Sequence, residues 1–555
     1  MAQAMYDAIV VGSGATGGWA AKRLAEAGVK VALLDAGRKV SPREFTEHLP
    51  EFALKYRNLS PEVARRRPVQ KQCYACMEYN YDWFVDDFDN PYSTPEGKPF
   101  TWQRLRVVGG RTMVWGRQSY RYSDLDFKAA SHDGYGEDWP VSYKDVEPYY
   151  DIVEQYVGIS GAVEHNPTLP DSHFLPPMKM TCGELLVRER AAKLGRTVTI
   201  GRTAIVTQAH NGRAACHYCG PCELGCSTYS YFSSPYTTVA DAVKSGHCDL
   251  IPNAVVSHVT MDNGGNRATG VTYIDRMTRK AVEVKARAVV LCAQSMESAR
   301  ILLNSSTRMY PKGLANSSGH LGRYLMDHCV GGGASGQFEG VNGKPSMNEA
   351  HRPNGIYVIR FRNVMGGPRH PRFIRGYGYQ GGSGAGFHYN APGFGPEYKA
   401  AVKAGIDTVD MGAFGESLAR WENFVEIDPN LRDAWGIPAL RISMTHDGNA
   451  KAMMEDAAAC AAEMLEAAGA KSIRLQAKVE MPGMAIHELG VARMGTDAKK
   501  SVLDAWMQTH DVKNLFVMDG AGFVSSACQN PTLTMMALTV RSADRLAERF
   551  RRNEV

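Results

Sequence analysis

The sequence predicts an α/β protein that begins with a dinucleotide-binding fold. A strand–helix–strand pattern interrupted by spaced glycines starts at about residue 8, and "NLFVMD", residues 514–519, predicts another buried strand near the C-terminus. The hydrophobic fraction of 44% and the charged fraction of 22% are those of an ordinary globular protein. A chain of 555 residues has room for two or more domains.

The N-terminal segment "YDAIVVGSGATGGWAAKRLAEAGVKVALLDAG" contains the elements of one strand–helix–strand unit. We predict a buried strand over 8–11, a helix over 18–27 and a second strand over 29–34. Gly28 ends the helix, because glycine readily adopts the left-handed conformation found after helix C-termini. The unit therefore has the order of elements of a mononucleotide-binding half.

Three glycines and one acid indicate the ligand of this unit. Gly12 permits a tight turn, Gly14 lets backbone N–H groups approach a pyrophosphate, and Gly17 allows close helix packing. Asp35 ends the second strand, where an acidic side chain hydrogen-bonds an adenosine ribose. A turn without ligand is the alternative. The spacing itself does not separate FAD from a nicotinamide dinucleotide, because both contain ADP.

Charge and hydropathy exclude two classes of partner. The net charge of +5 is small for this length and no basic run is present, so we expect no nucleic acid partner. No apolar stretch approaches the roughly 18 residues that a membrane span needs. The N-terminus "MAQAMYDAIVV" lacks the regions of an export signal. We therefore expect a soluble protein with no direct membrane insertion and no signal peptide in this chain.

The twelve cysteines fall into a cluster, a pair and six single residues. Cys73 and Cys76 follow no thioredoxin-like strand, so we interpret this pair as structural. Single cysteines are most often small buried apolar groups. We predict this environment for Cys182, Cys248, Cys292, Cys329, Cys460 and Cys528.

The cluster has the spacing C-x2-C-x2-C-x3-C, which is that of a bacterial ferredoxin loop except that Ser227 replaces the following proline. Its members are Cys216, Cys219, Cys222 and Cys226. Zinc sites usually separate two C-x2-C pairs by a longer stretch, and four thiols this close would form mixed disulfides. An iron–sulfur cluster is therefore favoured over a zinc site or disulfides, and Gly220 and Gly225 supply the tight turns that it needs.

Several segments resemble the glucose–methanol–choline (GMC) oxidoreductases. They are "RVVGGRTMVWGRQSYRYSDLDF" (106–127), "AVVLCAQSMESARILLNSS" (288–306), "LGRYLMDH" (321–328) and "NLFVMDGAGFVSSACQNPTLTMMALTVRSADRL" (514–546). The resemblance implies a Rossmann-type FAD-binding domain interleaved with an α+β substrate domain built on an antiparallel sheet. It implies an FAD-binding domain over 1–329, with the cysteine loop at 210–230 and some insertions that belong to the substrate domain. A substrate domain over 330–480 and a C-terminal return to the FAD-binding domain over 481–555, with the catalytic histidine and asparagine, follow.

The same resemblance assigns further residues to FAD. Gly109 and Gly110 would allow the backbone to approach the isoalloxazine ring. Asp519 and Gly520 follow a strand at its carboxyl end, where open α/β sheets bind ligands. Asn530, Pro531 and Thr532 precede a helix that ends near Phe550, and its N-terminus can face the cofactor. The motif "GGRTMVWG" lacks the histidine that attaches FAD in some relatives, so we expect non-covalent binding.

The resemblance places the catalytic base at His487, in "GMAIHELGVARMGTD", and the second catalytic position at Asn530. Neutral imidazole can accept a hydroxyl proton, and an amide can orient the hydroxyl without competing for that proton. We interpret His328 as a structural support. Asparagine at the second position resembles pyranose oxidases, which favours a sugar substrate.

The cysteine loop resembles an insert in bacterial FAD-dependent sugar dehydrogenases. In that branch C-x5-C-x3-C holds a three-iron (3Fe-4S) cluster, and Cys216, Cys222 and Cys226 have this spacing. Cys219 is extra, so a four-iron (4Fe-4S) cluster with Cys219 as a ligand stays open. A cluster accepts electrons singly, which favours a dehydrogenase with a protein acceptor over an oxidase.

Within this branch the sequence most resembles catalytic subunits of glucoside 3-dehydrogenases, which oxidise carbon 3 of glucosides, disaccharides or glucose. A glucose, gluconate or polyol dehydrogenase is the first alternative. A non-catalytic iron–sulfur carrier or metal-stabilised binding module is the second. The resemblance implies a small accessory subunit and a cytochrome c or Rieske-type acceptor, with either periplasmic co-export or a cytoplasmic location. The stretch 376–400 reads as a loop, either over the pocket or at the surface.

Overall fold

The computed structural model describes residues 5–49, 53, 61–346, 351–389 and 391–555. The strands are β1 (Tyr6–Val11), β2 (Val31–Leu34), β3 (Val198–Ile200), β4 (Cys248–Ile251), β5 (Ala254–Met261), β6 (Ala268–Asp275), β7 (Ala281–Leu291), β8 (Cys329–Gln337), β9 (Ile356–Val358), β10 (Tyr377–Gly386), β11 (Ile406–Gly415), β12 (Phe424–Arg432), β13 (Pro438–Ser443), β14 (Lys471–Ala477) and β15 (Leu515–Val517). The α-helices are α1 (Ala15–Glu26), α2 (Pro61–Arg66), α3 (Asp124–Phe127), α4 (Ala129–Asp133), α5 (Tyr143–Val157), α6 (Cys182–Lys193), α7 (Thr238–Lys244), α8 (Ser295–Asn304), α9 (Gly395–Ala404), α10 (Gly448–Ala467) and α11 (Thr532–Arg551).

The first sheet joins segments from both ends of the chain. Within the described residues its strand order is β4-β2-β1-β7-β6-β5, and β15 also pairs with β7. The C-terminal half of β7 is parallel to β1 and β15, whereas its N-terminal half is antiparallel to β6. The carboxyl ends of β1, β2, β7 and β15 consequently lie at one edge, as in Rossmann-type sheets. The predicted fold class is confirmed here.

The glycine turn after β1 determines where the first helix begins. Gly12 has a φ of 94°, and a Cβ on Gly17 would lie 1.7 Å from the Gly12 carbonyl oxygen. Helix α1 therefore packs directly onto the turn and starts at Ala15, ahead of the predicted residue 18. Gly28, at a φ of 84°, follows the end of the helix as predicted. Strand β2 begins at Val31, later than the predicted residue 29.

The second sheet is antiparallel, in agreement with the expected substrate domain. The described residues give the strand order β14-β8-β11-β10-β9-β3. Helix α10 covers one face, where Met453, Met454 and Leu465 share a core with Tyr379 and Met411. Burial of these large apolar side chains provides the main stabilisation between helix and sheet.

The prediction of a loop over 376–400 is wrong. Residues 377–386 form the long strand β10, and α9 begins at Gly395. The glycines are not turn signals here. A Cβ on Gly381 would lie 2.1 Å from the Asp410 carbonyl oxygen, and one on Gly378 would lie 2.3 Å from the Tyr357 hydroxyl. Close approach of neighbouring segments therefore explains the glycines at 378 and 381.

The C-terminal segment returns to the first sheet. β15 occupies the middle of the predicted strand 514–519. Helix α11 packs against α1 and α5, and it begins at Thr532, the last of the three residues predicted to precede it. The β12–β13 hairpin adds Val425, Leu440 and Ile442 to the core of the same sheet.

The single cysteines are buried with one exception. Cys248, Cys292, Cys329, Cys460 and Cys528 are buried, as predicted. Cys182 is exposed, so its predicted burial is wrong. It is the first residue of α6, whose buried side is formed by later residues such as Val187 and Ala191. Cys73 and Cys76 are buried, which is consistent with a structural pair.

Candidate active site

A cavity of about 560 Å³ lies along the carboxyl edge of the first sheet. Most of the predicted cofactor and catalytic residues line it: Gly12, Gly14, Asp35, Gly110, His487, Asp519, Gly520, Asn530, Pro531 and Thr532. Gly17 lies directly behind the wall against Gly12. Gly109 lies beside the first glycine turn, where its backbone N–H donates to the Ser13 hydroxyl at 2.8 Å. The structure therefore brings residues from three distant segments to one cavity.

Asp35 and Ser13 organise the nucleotide end. One Asp35 carboxylate oxygen accepts the backbone N–H of Ser13 at 3.0 Å and also the Ser13 hydroxyl, and the other accepts the N–H of Gly37 at 2.7 Å. Burial raises the pKa of Asp35, and these hydrogen bonds oppose the shift. Ser13 also connects to Gly109, so it joins the two glycine motifs. Ser13 was not identified from the sequence, where its position inside the G-x-G turn is the one feature that could have indicated it.

The cavity wall carries polar atoms that need partners. In the described part of the chain, Arg104 Nε, Arg106 Nη1, Gln294 Nε2 and Glu297 Oε2 are buried and have no hydrogen-bond partner. All four residues line the cavity. Buried polar groups are rarely left unpaired, because desolvation costs about 1–3 kcal/mol each. These atoms therefore indicate a polar ligand in the cavity.

Asp519 is held at the end of β15. Its carboxylate accepts the Ser298 hydroxyl at 2.5 Å and the backbone N–H of Ala521 at 2.9 Å. Burial raises its pKa to about 6, against the effect of these hydrogen bonds. Gln294, which supplies another backbone N–H to Asp519, has a φ of 85°. Such a conformation is rare for a side-chain-bearing residue and is concentrated at functional sites.

His487 and Asn530 both line the cavity and face each other there. The Asn530 Nδ2 atom lies 3.4 Å from His487 Nε2. Gln380 Nε2 donates to Asn530 Oδ1 at 2.7 Å, which fixes the amide orientation and directs its N–H₂ group toward the imidazole. His487 Nε2 is consequently the acceptor in this pair. Gln380 was not identified from the sequence, because it belongs to the stretch assigned to a loop.

His328 fixes the tautomer of His487. His328 Nε2 lies 2.9 Å from the Ala527 carbonyl oxygen, which can only accept, so this nitrogen carries the proton. In neutral His328 the Nδ1 atom is then an acceptor, and it lies 2.7 Å from His487 Nδ1. His487 must therefore donate through Nδ1–H and keep a lone pair on Nε2, in agreement with the Asn530 contact. His328 thus does more than support the structure.

The surroundings keep both imidazoles neutral. Burial lowers the pKa of His487 well below its usual value, and the nearby His328 and Arg111 lower it further. Burial also lowers the pKa of His328 to about 4. Asp327 accepts the backbone N–H of His487 at 2.9 Å and thereby holds the segment that carries His487. Arg111 is paired with Glu488 at 2.6 Å.

The four clustered cysteines line a second, small cavity. Each is a free thiol, as are the other cysteines. Backbone N–H groups point at two of the sulfurs: Tyr218 donates to Cys216 Sγ at 3.5 Å and Ser230 to Cys226 Sγ at 3.3 Å. N–H···S hydrogen bonds of this kind stabilise thiolate ligands of iron–sulfur clusters. Convergence of the thiols and these donors fits such a cluster.

Arg117 and Glu223 connect the cysteine loop with the large cavity. Both line the large cavity, and Arg117 Nη2 lies 3.5 Å from Glu223 Oε1. Glu223 directly follows Cys222, which lines the small cavity. Nearby Cys222 and Glu223 raise the pKa of the buried Arg117, whereas desolvation opposes them. The cysteine loop therefore contacts the wall of the large cavity.

Two family models match this chain. Both are described as GMC oxidoreductase, and they cover residues 6–330 and 419–539. The first match alone spans more than half of the sequence. The chain is a GMC oxidoreductase. Family members bind FAD and act on CH–OH groups, so this GMC oxidoreductase is an enzyme rather than a non-catalytic electron carrier.

Relatives of this GMC oxidoreductase include two bacterial dehydrogenases. It is 30% identical to 2-methyl-1,2-propanediol dehydrogenase of Mycolicibacterium austroafricanum, with 98% of this chain and 95% of the relative covered. It is 29% identical to the fructose dehydrogenase large subunit of Gluconobacter japonicus, with 97% of each covered. A structure of formate oxidase from Aspergillus oryzae RIB40 superposes with a TM-score of 0.64 at 14% identity and 100% coverage of both chains. The last likeness confirms the GMC fold.

The large cavity of this GMC oxidoreductase fits FAD. Its glycine turn leaves the N-terminus of α1 open toward the cavity, where a Cβ on Gly14 would contact only the Gly109 carbonyl oxygen at 3.9 Å. Unpaired guanidinium and amide groups on the wall supply donors for a pyrophosphate and a flavin ring.

Among the described helices, none combines the length and apolar character that crossing a membrane requires.

Proposed function

We propose that this GMC oxidoreductase is a dehydrogenase that oxidises a secondary hydroxyl of a sugar to a keto group. The proposed position is carbon 3 of a glucoside, a disaccharide or glucose. The observation that carries the proposal is the unprotonated Nε2 of His487, held beside the Asn530 amide in the cofactor cavity. In this arrangement His487 can accept the hydroxyl proton, while the hydrogen bound to the same carbon leaves as hydride toward the cofactor.

In the proposed mechanism the substrate hydroxyl lies between His487 and Asn530. His487 Nε2 accepts the hydroxyl proton, and Asn530 Nδ2 donates a hydrogen bond to the hydroxyl oxygen. FAD, held by the residues that line the cavity, would supply the acceptor for the hydride that leaves the same carbon. His328 Nδ1 accepts the hydrogen bond from His487 Nδ1–H throughout the reaction. This hydrogen bond becomes stronger once the His487 ring is positively charged. Gln380 prevents the Asn530 amide from flipping.

Amide groups in the cavity support a polyhydroxylated substrate. Asn354 Nδ2 and Gln103 Oε1 are buried without partners among the described residues, and both residues line the cavity with Gln380 and Asn530. One free donor and one free acceptor suit the hydroxyls of a sugar ring. The names of the relatives include a sugar, fructose, and a diol, which is consistent with alcohol oxidation.

We propose that Cys216, Cys222 and Cys226 hold a three-iron cluster, which would exchange electrons one at a time. The contact of the cysteine loop with the wall of the FAD cavity supports this role. The acceptor would be a cytochrome c or a Rieske-type protein. A small accessory subunit is also proposed, since one relative is named as a large subunit. The cellular compartment would depend on this subunit: the enzyme would reach the periplasm by export together with it, or would stay in the cytoplasm.

The test is anaerobic incubation of the purified enzyme with a panel of sugars and glucosides, followed by product identification. We expect sugars to bleach the flavin absorbance and yield 3-keto products. Oxidation at carbon 1 or carbon 2 would instead support the alternative, a glucose, gluconate or polyol dehydrogenase. Failure of every sugar to bleach bound flavin would contradict both.

A further inference from the structure

Two exposed histidines lie beside the cysteine loop. His48, His217 and Cys219 place one potential ligand atom each within 4.8 Å of one another. The two imidazole rings have their centroids 5.0 Å apart with an interplanar angle of 32°. Neither histidine lines the large cavity of the proposed reaction, whereas His217 and Cys219 also line the small cavity beside the other three clustered cysteines. Cys219 is the cysteine that the C-x5-C-x3-C spacing leaves over.

His48 is held against the loop by the residues before it. Phe45 contacts Gly225 so closely that a Cβ there would lie 2.3 Å from its ring, and Thr46 donates its N–H to the Leu224 carbonyl at 3.0 Å. The buried Glu47 accepts the backbone N–H of Ser227 at 2.6 Å. Contacts of three successive residues thus fix the backbone that carries His48. The fold therefore brings the potential ligand atoms close together.

A carboxylate also stands behind His48. Its Nε2 atom lies 3.5 Å from Glu47 Oε1 and 3.2 Å from the Ser227 hydroxyl. Metal-binding histidines typically direct the nitrogen that does not bind metal to a carboxylate or a similar acceptor, which orients the ring. On the other side, Tyr218 has a φ of 59° and accepts the His351 backbone N–H at 3.0 Å, which fixes the turn between His217 and Cys219.

We propose that His48, His217 and Cys219 form a mononuclear site for a divalent metal of the zinc class, separate from the iron centre. Two imidazole nitrogens and one thiolate are a donor set that suits zinc, and solvent supplies the fourth ligand. Binding releases the Cys219 thiol proton to water, and the metal connects residues 45–48 to the cysteine loop. The inference rests on the proposed function in one respect: it assumes that the other three clustered cysteines bind the iron centre.

The test is a titration of the full-length, anaerobically purified enzyme with Co²⁺ after treatment with a chelator. We expect one Co²⁺ per chain with thiolate-to-cobalt charge-transfer absorption. The double variant His48→Ala/His217→Ala should weaken Co²⁺ binding by at least roughly 100-fold and keep its iron. Cys219→Ser should lose the charge-transfer band and also keep its iron. His247→Ala removes an exposed histidine elsewhere and is the matched control.

Three results would overturn the inference: no stoichiometric Co²⁺ binding by the unmodified enzyme, unchanged binding by the double variant, or loss of iron from Cys219→Ser. The last would make Cys219 a ligand of a four-iron cluster. Failure of the proposed function has a different signature. An enzyme without iron or sulfide that retains a histidine-dependent Co²⁺ site would remove the proposed electron relay and leave this metal site standing.

Discussion

The proposed catalytic pair, His487 and Asn530, and the cysteine loop of this enzyme are positioned in opposite ways. His487 is fixed through its side chain, because His328 accepts its Nδ1–H and Asn530 lies against its Nε2. The loop is fixed through its backbone, with Gly220 and Gly225 at φ values of 106° and 113° and N–H groups directed at sulfur. The difference indicates that the first region is organised around one protonation state, whereas the second leaves its thiols free to bind metal.

Substitution of the proposed base should therefore have the largest effect, and we expect that effect on the rate of substrate oxidation and not on cofactor binding. We expect His487→Ala to reduce the rate of sugar-driven flavin reduction by about 1000-fold, since general base catalysis contributes roughly 10²–10⁴. FAD content should be unchanged. Stopped-flow absorbance measures the rate, with His247→Ala as a control on the surface. An unchanged rate in His487→Ala would remove this residue as the base.

The corresponding change in the cysteine loop should separate the two half-reactions. Cys222→Ser removes a proposed cluster ligand, so we expect iron loss and a decrease of about 100-fold in electron transfer to a protein acceptor. Sugar should still reduce the flavin at the original rate. Cys182→Ser, at an exposed cysteine outside the loop, is the matched control. Normal transfer to the acceptor by Cys222→Ser would exclude an electron route through the loop.

His328 tests whether the side-chain network selects the tautomer. In His328→Leu nothing accepts the His487 Nδ1–H, so the proton can move to Nε2 and block the base. We expect flavin reduction to slow by roughly 10- to 100-fold, and His328→Asn to recover part of the rate because its amide can accept from His487 and donate to Ala527. Equal rates in the two variants would indicate a merely structural role.

The same network predicts the pH dependence. Burial lowers the pKa of His487 well below 6.5, so the base stays neutral from pH 8 down to pH 6.5 and is lost only as the pH falls through its own lower pKa. The rate of flavin reduction should therefore show no acid limb near pH 6.5. His328→Leu removes an imidazole that helps to lower the pKa of His487, so we expect that limb to move to higher pH. An acid limb centred at pH 6.5 in the unmodified enzyme would contradict the assigned environment.

Asn530 should have the smallest effect of the set. Asn530→Ala removes one hydrogen bond to the substrate hydroxyl, which is worth roughly 1.5 kcal/mol, or about tenfold in rate. FAD content should change little. Asn530→Asp is the informative companion, because its carboxylate accepts instead of donating and should be slower than alanine. Full activity in Asn530→Ala would exclude a role in orienting the hydroxyl.

Short sequence motifs predicted the turns, strands and helices that depend on residues close together in the sequence. The turn at Gly12, the strand before Asp519 and the helix beginning at Thr532 follow from short motifs. Contacts between distant segments did not. His328 and His487 are 159 positions apart, and nothing in either motif indicates that their Nδ1 atoms meet. Gln380 was missed for a related reason, because glycines that allow strands to approach closely have the same pattern as glycines in a loop.

The most direct measurement uses a sugar substrate deuterated at single carbons under anaerobic conditions. If hydride leaves carbon 3, deuterium at carbon 3 slows flavin reduction, deuterium at carbon 1 does not, and the product is the 3-keto sugar. Slowing by deuterium at carbon 1, or flavin reduction that is indifferent to deuterium at every ring carbon, would contradict hydride removal from carbon 3 beside His487.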